Sequence, residues 1–230
     1  LDEANEARIH KIDYSIKLVK QVLSLCDSPE FINIKAKALS QLALYSMIVG
    51  NNTESLEYAQ NSILLFEELN DEKGIADAKY SIASVYYKTD NYHIGLVFLI
   101  DALNIYKKSD DSYNISRCEK SLGTVYEYSG DQNSAVQSYE NAILAAKKIK
   151  NINLESNAYN SLSGVYIKQG RLGLAKRIIK KSVALKKRSG DIRGLAFAIY
   201  GRAKVFFALK KYQESESDFL ESIKIHTEMG

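Results

Sequence analysis

The stretch from Leu122 to Ala142, LGTVYEYSGDQNSAVQSYENA, contains the pattern that decides the fold. Apolar and small residues recur three and four positions apart on both sides of Gly130, which is the spacing of an amphipathic α-helix. The pair Gly130–Asp131 interrupts that spacing, as glycine does where a helix ends. The stretch therefore predicts two helices, near residues 115–129 and 132–148, joined by a tight turn.

The same pattern recurs every 40 residues, five times, without a change of register. The turn position is occupied by Gly50, Asp90, Gly130, Gly170 and Lys210, the position four residues earlier by Ser46, Tyr86, Tyr126, Tyr166 and Phe206, and the position eight residues earlier by Leu42, Ile82, Leu122, Leu162 and Arg202. A fixed long period is typical of stacked repeat proteins, in which each unit packs only against its neighbours. We therefore expect an all-α array of five helix pairs.

One more amphipathic helix precedes the first full repeat, and Pro29 follows it. It matches the second half of a repeat, because a shift of 40 residues places Ser15 on Ser55 and Ile16 on Leu56. We expect a single array over residues 1–230, with this N-terminal helix at 3–27 and repeats at 34–73, 74–113, 114–153, 154–193 and 194–230. The last repeat has no polar cap, so we expect a fragment of a longer protein.

Composition restricts the class of protein. The chain has 230 residues, of which 46% are hydrophobic and 26% charged, and its net charge is +3. So small a net charge does not by itself indicate a nucleic-acid or anionic-membrane partner, and no stretch is apolar for long enough to span a membrane. Cys26 and Cys118 are so far apart in sequence that they should not meet in a stack. We expect two reduced thiols and a cytoplasmic protein.

The repeat positions resemble those of the tetratricopeptide repeat family. The third unit has the family's pair Leu122–Gly123, then an aromatic residue and a glycine, and then Ala135, Tyr139 and Ala142 in its second helix. The usual unit has about 34 residues, and the 40-residue unit is similar to those of bacterial peptide-sensing regulators and of kinesin light chain. The resemblance implies a right-handed α-α superhelix, or TPR solenoid, whose first helices form a concave surface that binds proteins or peptides.

The side of each first helix that lies opposite its core residues is the predicted partner-binding groove. The candidate residues are Lys37, Met47, Tyr80, Tyr87, Lys88, Arg117, Lys120, Tyr128, Asn157, Asn160, Lys168, Phe197, Tyr200, Lys204 and Phe207. This set is aromatic with a basic centre, and aromatic and Arg side chains are those that binding hot spots favour. We therefore predict a protein or peptide partner with acidic and apolar groups. The alternative interpretation is that the rings pack against neighbouring helices.

A second candidate surface is basic. Residues 141–190 contain twelve Lys or Arg residues and one acidic residue, Glu155. Seven of the basic residues lie on one second helix: Lys176, Arg177, Lys180, Lys181, Lys186, Lys187 and Arg188. Because second helices face outward in such an array, we predict a convex basic stripe, formed by these residues other than Lys186. The stripe is interpreted either as a solvated surface or as a site for an acidic protein segment or a nucleic acid.

The sequence contains no pattern for catalysis, a metal or a cofactor. The histidines His10, His93 and His226 are isolated, and no phosphate loop or nucleophile elbow is present. We therefore predict a non-enzymatic scaffold or sensor region of a larger bacterial signalling protein, without a membrane partner. The alternatives are a nucleic-acid-associated module and the regulatory part of an enzyme whose kinase or cyclase domain lies outside this chain. The uncapped last helix pair is compatible with a homo-oligomer.

Overall fold

Helices account for the regular structure of the protein. The computed structural model describes residues 1–7 and 11–228, without the side chains of residues 5–7. The helices form two compact units, Leu1–Ser109 and Asp110–Gly230. Across the described residues every regular element is helical, which confirms the predicted all-α array of helix pairs.

The first unit contains two helix pairs and two shorter preceding helices. Its helices are α1 (Asp2–Ala7), α2 (Ile12–Ser24), α3 (Ile32–Val49), α4 (Asn52–Glu68), α5 (Glu72–Lys88) and α6 (Tyr92–Lys108), with a 3-10 turn at Pro29–Phe31 before α3. Helix α3 packs against α2, α4 and α5. The sequence predicts one helix at 3–27, where the structure has α1 and α2, and residues 8–10, including His10, lie outside the described residues.

The second unit contains three helix pairs. Its helices are α7 (Ser112–Tyr128), α8 (Gln132–Lys148), α9 (Ile152–Lys168), α10 (Leu172–Ser189), α11 (Ile192–Ala208) and α12 (Tyr212–Glu228). Each helix packs against the next one in the chain. Helix α9 also contacts α7 and α11, so the first helices of the three pairs lie side by side.

Left-handed backbone conformations set the helix ends. Each helix from α3 to α11 is followed, after at most one residue, by a residue with positive φ between 52° and 90°. These residues recur every 20 positions, at Gly50, Asn70, Asp90, Asp110, Gly130, Lys150, Gly170, Gly190 and Lys210. Glycine, asparagine and aspartate adopt this conformation more readily than other residues. This spacing ends each helix from α3 to α11 after 17 or 18 residues. It therefore explains why the repeat keeps its register.

Side-chain caps fix the starts of the first helices from α5 onward. Asp111 accepts a hydrogen bond from the backbone N–H of Asn114 at 3.1 Å, and Asp191 accepts one from that of Gly194 at 2.8 Å. Such caps satisfy backbone donors that have no partner inside the helix. Helix α7 therefore begins at Ser112, three residues before the start that the apolar spacing predicts.

The two helices of each pair cross at small buried residues. The first helices contribute Ala43, Ala83, Gly123, Ser163 and Ala203, and the second helices contribute Ser55, Gly95, Ala135, Ala175 and Ser215. The Ser55 hydroxyl donates to the Ala43 carbonyl at 2.7 Å. A Cβ atom on Gly123 would lie 2.7 Å from the Tyr139 ring, so glycine makes room for that fully buried ring. The crossing is close because large side chains are absent from it.

Apolar rows beside the crossings form the cores of both units. The predicted leucine row is buried at Leu42, Ile82, Leu122 and Leu162. In the aromatic row Tyr166 is buried, whereas Tyr86 and Tyr126 are half-buried. Cys26 and Cys118 are both buried, and they are not joined in a disulfide. Among the described helices, none combines the length and the apolar composition that a membrane crossing requires.

The fifth pair replaces the apolar row with an ion pair. Arg202 occupies the leucine position, and its Nε and Nη2 donate to the two carboxylate oxygens of Asp218, each at 2.7 Å. The Asp218 side chain is only 8% exposed. The bidentate pair satisfies a nearly buried carboxylate and explains how this repeat tolerates arginine at an otherwise apolar position.

We expect two alanine substitutions three residues apart to have opposite effects on stability. Gly170→Ala should lower the free energy of unfolding by about 1 kcal/mol, because φ at this position is +69°. Gly173→Ala should raise it by about 0.5–1 kcal/mol, because this residue lies inside α10 with open space around its Cβ position. Urea denaturation followed by circular dichroism measures both. Changes of the same sign would contradict the assigned backbone conformations.

A double-mutant cycle tests the ion pair of the fifth repeat. Arg202→Leu should lower the free energy of unfolding by about 3 kcal/mol, because it leaves the nearly buried Asp218 carboxylate without its partner. Adding Asp218→Ser, which introduces the residue found at the equivalent position 138, should recover most of that loss. A double variant no more stable than Arg202→Leu alone would show that the pair does not explain the substitution.

Candidate functional site

The first unit places five predicted groove residues on two adjacent first helices. Lys37 and Met47 lie on α3, and Tyr80, Tyr87 and Lys88 lie on α5. Lys37 and Lys88 are exposed, whereas the other three side chains are partly buried. The Lys88 ammonium donates to the Met47 carbonyl at 2.9 Å, at the C-terminal end of α3. Lys88 therefore has a structural role in holding α3 against α5.

A cavity of about 480 Å³ also lies between α3 and α5. Its lining includes Lys37 and Gln41 of α3 and Asp77 of α5, together with Leu1 and Asp2 at the start of the chain. The Gln41 Oε1 atom is buried, and no described residue donates a hydrogen bond to it. Charges of both signs line this cavity, so it does not favour one ligand charge.

The second unit places ten predicted groove residues on its three adjacent first helices. Helix α7 carries Arg117, Lys120 and Tyr128, α9 carries Asn157, Asn160 and Lys168, and α11 carries Phe197, Tyr200, Lys204 and Phe207. The structure thus brings the central and C-terminal part of the predicted set onto one row of helices.

An ion-pair network occupies the surface between α7 and α9. The Lys168 ammonium lies 2.8 Å from Glu127 Oε1, and the Tyr139 hydroxyl donates to Glu127 Oε2 at 3.0 Å. The Lys168 ammonium also lies 5.9 Å from the centre of the Tyr128 ring. Because Glu127 balances its charge, Lys168 is less suited to attract an acidic ligand than the sequence predicts.

Lys120 differs from Lys168 because its charge is not balanced. Its side chain is partly buried, and burial lowers the pKa of the ammonium from its ordinary value. In the described part of the chain no carboxylate forms an ion pair with it. A partly desolvated cation without a partner is destabilising unless an anion approaches it.

An open cavity of about 220 Å³ lies between α9 and α11, and we call it the α9/α11 cavity. Its lining residues are Asn160, Ser163, Gly164 and Ile167 from α9, and Phe197, Tyr200, Gly201 and Lys204 from α11. A Cβ atom on Gly164 would meet no other atom within 4 Å, so glycine at this position keeps the cavity open. Four of the lining residues belong to the predicted groove set.

Asn160 presents a hydrogen-bond acceptor without a donor in this cavity. Its Oδ1 atom is buried, and among residues 1–7 and 11–228 no group donates a hydrogen bond to it. A Cβ atom on Gly201 would lie 2.1 Å from this oxygen, so glycine makes room for the amide. A buried acceptor without a partner costs about 1–3 kcal/mol, which a ligand donor would recover.

Aromatic side chains and one cation flank the Asn160 amide. Phe197 is 55% exposed and Tyr200 is 48% exposed, both high values for rings in a folded protein. The Lys204 ammonium lies 5.7 Å from the centre of the Tyr200 ring. Further along α11, Phe207 is 61% exposed. The arrangement can accept a hydrogen bond, cover an apolar group and attract a carboxylate.

Sequence reasoning did not assign Ser163 and Gly201 to the site. Ser163 belongs to the small residues at the helix crossing, and its 1% exposure fits that assignment to the core. Gly201 lies where the other first helices have Gln41, Ser81, Ser121 and Ser161. Glycine inside a helix is destabilising, so it is expected there only where close packing requires it. The change from a polar residue to glycine at this repeat position is therefore the signal that could have identified the site.

The six residues of the predicted basic stripe lie on α10. Arg177, Lys180, Lys181, Lys187 and Arg188 are exposed on α10, and Lys176 is partly exposed. Lys186 does not belong to this surface, because its side chain is only 3% exposed and its ammonium lies 2.6 Å from Asp191. The 3.6-residue period of the helix turns position 186 toward the core. Binding of nucleic acid by this surface stays a prediction.

The described residues do not form a metal-binding site. Among the side chains of residues 1–4 and 11–228, no group of three His, Cys, Asp or Glu lies close enough together to hold a metal ion. The α9/α11 cavity is therefore the candidate binding site in the described part of the chain.

Sequence comparison identifies the repeats. Two family models, both described as tetratricopeptide repeat, match residues 74–148 and 156–188. A curated relative, response regulator aspartate phosphatase A of Bacillus subtilis, is 26% identical over 152 residues. The match covers 65% of this chain and 40% of that protein, so the chain spans less than half of the relative's length.

Solved structures share the helical array. A signal transduction ATPase with a tetratricopeptide repeat sensor, from Pyrococcus horikoshii, has a TM-score of 0.79 at 20% identity, over 96% of this chain and 34% of that one. A Rap protein in complex with competence and sporulation factor has a TM-score of 0.71 at 16% identity, over 97% of this chain and 71% of that one. At these identities the likeness establishes the fold.

We expect Lys120→Met to stabilise the protein at pH 7. The ammonium is charged in both states there, but only the native state buries it, which is why its native pKa is lowered. As pH rises, native Lys120 loses its proton before unfolded Lys120 does, so the gain should become smaller as the pH approaches the ordinary pKa of 10.5. Thermal unfolding near pH 7 and near pH 10, with the exposed Lys204→Met as control, measures this. Equal melting temperatures of the two variants at pH 7 would contradict the assignment.

Proposed function

Because the chain belongs to the tetratricopeptide repeat family, we propose that it binds an extended peptide or protein segment on the first helices of its second unit. The α9/α11 cavity is the centre of that site. The single observation that carries the proposal is the buried Asn160 Oδ1 atom, which lacks a donor and belongs to a residue that lines an open cavity.

A peptide backbone matches the requirement of Asn160. Every non-proline residue of an extended chain offers one backbone N–H group, so the acceptor can bind peptides of different sequence. The hydrogen bond fixes the position of the peptide but does not select its side chains. Gly164 allows the peptide backbone to approach, because it places no side chain in its path.

The surrounding side chains determine which peptides bind. Phe197, Tyr200 and Ile167 present apolar surface that an apolar ligand side chain can cover. Lys204 supplies a positive charge at the same cavity. We infer that the preferred segment has an apolar residue next to an acidic one, as the aromatic and basic composition of the groove predicts.

The comparisons support a signalling context for this binding. The name of the curated relative refers to response regulators, and the matching structures include a sensor array and a Rap protein bound to competence and sporulation factor. We propose that this chain is likewise the sensor or scaffold region of a larger cytoplasmic bacterial protein. An enzymatic or other effector domain would then lie outside the 230 residues.

Selection from a peptide library tests the proposal. A phage-displayed library of random peptides about ten residues long is enriched on the wild-type chain, and binding of the enriched peptides is measured by fluorescence anisotropy. Gly164→Leu should weaken binding at least about tenfold, because its side chain fills the α9/α11 cavity without a backbone clash. Asn160→Ala should also weaken it, because the acceptor is lost.

Gly173→Leu is the matched control for this experiment. Gly173 is also a helical glycine with open space around its Cβ position, but it lies on α10, away from the cavity lining. It should bind the peptides as the wild type does. Failure to enrich any peptide, or equal affinity of Gly164→Leu and Gly173→Leu, would refute the proposed site.

A further inference from the structure

Two second helices of the chain carry opposite charges at equivalent repeat positions. Helices α4 and α10 are related by a shift of 120 residues, which is three repeats. The shift places Glu57 on Arg177, Glu67 on Lys187 and Glu68 on Arg188. All six side chains are exposed, and none of them forms an ion pair with a side chain of residues 1–4 or 11–228. Equivalent positions on two helices of one chain thus offer complementary surfaces.

The charged residues of α4 are all acidic, and those of α10 are all basic. Residues 38–72 contain six acidic residues and no lysine or arginine. On α10 the exposed basic residues include Lys180 and Lys181 as well as the three equivalents of the α4 acids. Opposite fields of this kind guide association between surfaces and determine their relative orientation.

The acids of α4 are also placed against the helix dipole. Glu67 and Glu68 lie in the last turn of α4, where the partial charge of the helix is negative. The last turns of α6, α8 and α10 carry basic residues instead. Cations brought to the end of α4 would relieve this unfavourable arrangement, so α4 favours a basic partner.

The spacing of the charges also matches. Glu57 and Glu67 are ten residues apart, as are Arg177 and Lys187, and ten residues of an α-helix span about 15 Å. Between them lie Leu64, which is 61% exposed, and its equivalent Ala184, which is exposed as well. Each face therefore has an apolar centre between charged ends, and the charges can pair in a parallel or an antiparallel arrangement of the helices.

We propose that the acidic face of α4 in one copy of the chain docks on the basic face of α10 in a second copy. The occupant of each face is then supplied by the protein itself, because both complementary surfaces belong to the same sequence. Exposed ion pairs contribute only about 0–1 kcal/mol each, and the apolar centre is small. The association is therefore weak and becomes weaker as salt screens the charges.

Sedimentation velocity tests the proposal with two charge-reversal variants. The wild type should self-associate at about 25 mM salt and become monomeric at about 500 mM, where the Debye length is only a few ångströms. Glu57→Lys/Glu67→Lys and Arg177→Glu/Lys187→Glu should each be monomeric at low salt, because each has two faces of the same sign. Lys17→Glu/Lys20→Glu, which alters exposed lysines of α2 by the same charge, should associate as the wild type does.

Mixing the two reversal variants provides the decisive step. In the mixture each reversed face meets a complementary face on the other variant, so association should return although neither variant associates alone. A wild type that stays monomeric at low salt would overturn the proposal, as would a mixture that stays monomeric. It would also fail if wild-type association required added oligonucleotide, because the basic face would then serve a nucleic acid. Circular dichroism of each variant confirms that the helices are intact.

Discussion

The close crossing of two helices at small buried residues is the constraint on which the rest of the structure depends. Where Ala43 meets Ser55, or Ala83 meets Gly95, the backbones approach because no large side chain separates them. The crossing must recur at the same height in every pair, so the helices must have the same length. A positive-φ residue every 20 positions fulfils this requirement by ending each helix from α3 to α11 at an equivalent place.

The candidate site arises from the same arrangement of helices. Because α9 and α11 are held side by side, the residues on their exposed sides determine the space between them. Gly164 leaves that space open, and Gly201 makes room for the Asn160 amide. The exposed rings and Lys204 of α11 then provide apolar and charged contacts around one buried acceptor. A rigid repeat scaffold thus presents a small number of polar groups in a fixed geometry, which favours binding of a partner.

Features that depend on sequence period could be predicted, whereas features that depend on individual contacts could not. The helix pairs, their turns and the buried leucine row follow from a strict repeat, since a one-residue slip would move apolar side chains out of the core. The early start of α7 depends on the cap at Asp111, and the burial of Lys186 depends on Asp191. The cavity itself results from side chains that are small or lacking, and the missing donor at Asn160 is visible only once its neighbours are placed.

The two surfaces of the chain differ in the physics of recognition. The α9/α11 cavity uses a buried acceptor and apolar contacts, which salt affects little, whereas α4 and α10 use exposed charges that salt screens. A crystal structure of the chain with a tightly binding peptide tests the central claim about the cavity most directly. The account predicts the peptide between α9 and α11, with one of its backbone N–H groups within hydrogen-bond distance of Asn160 Oδ1. A peptide bound elsewhere, with this cavity left empty, would contradict it.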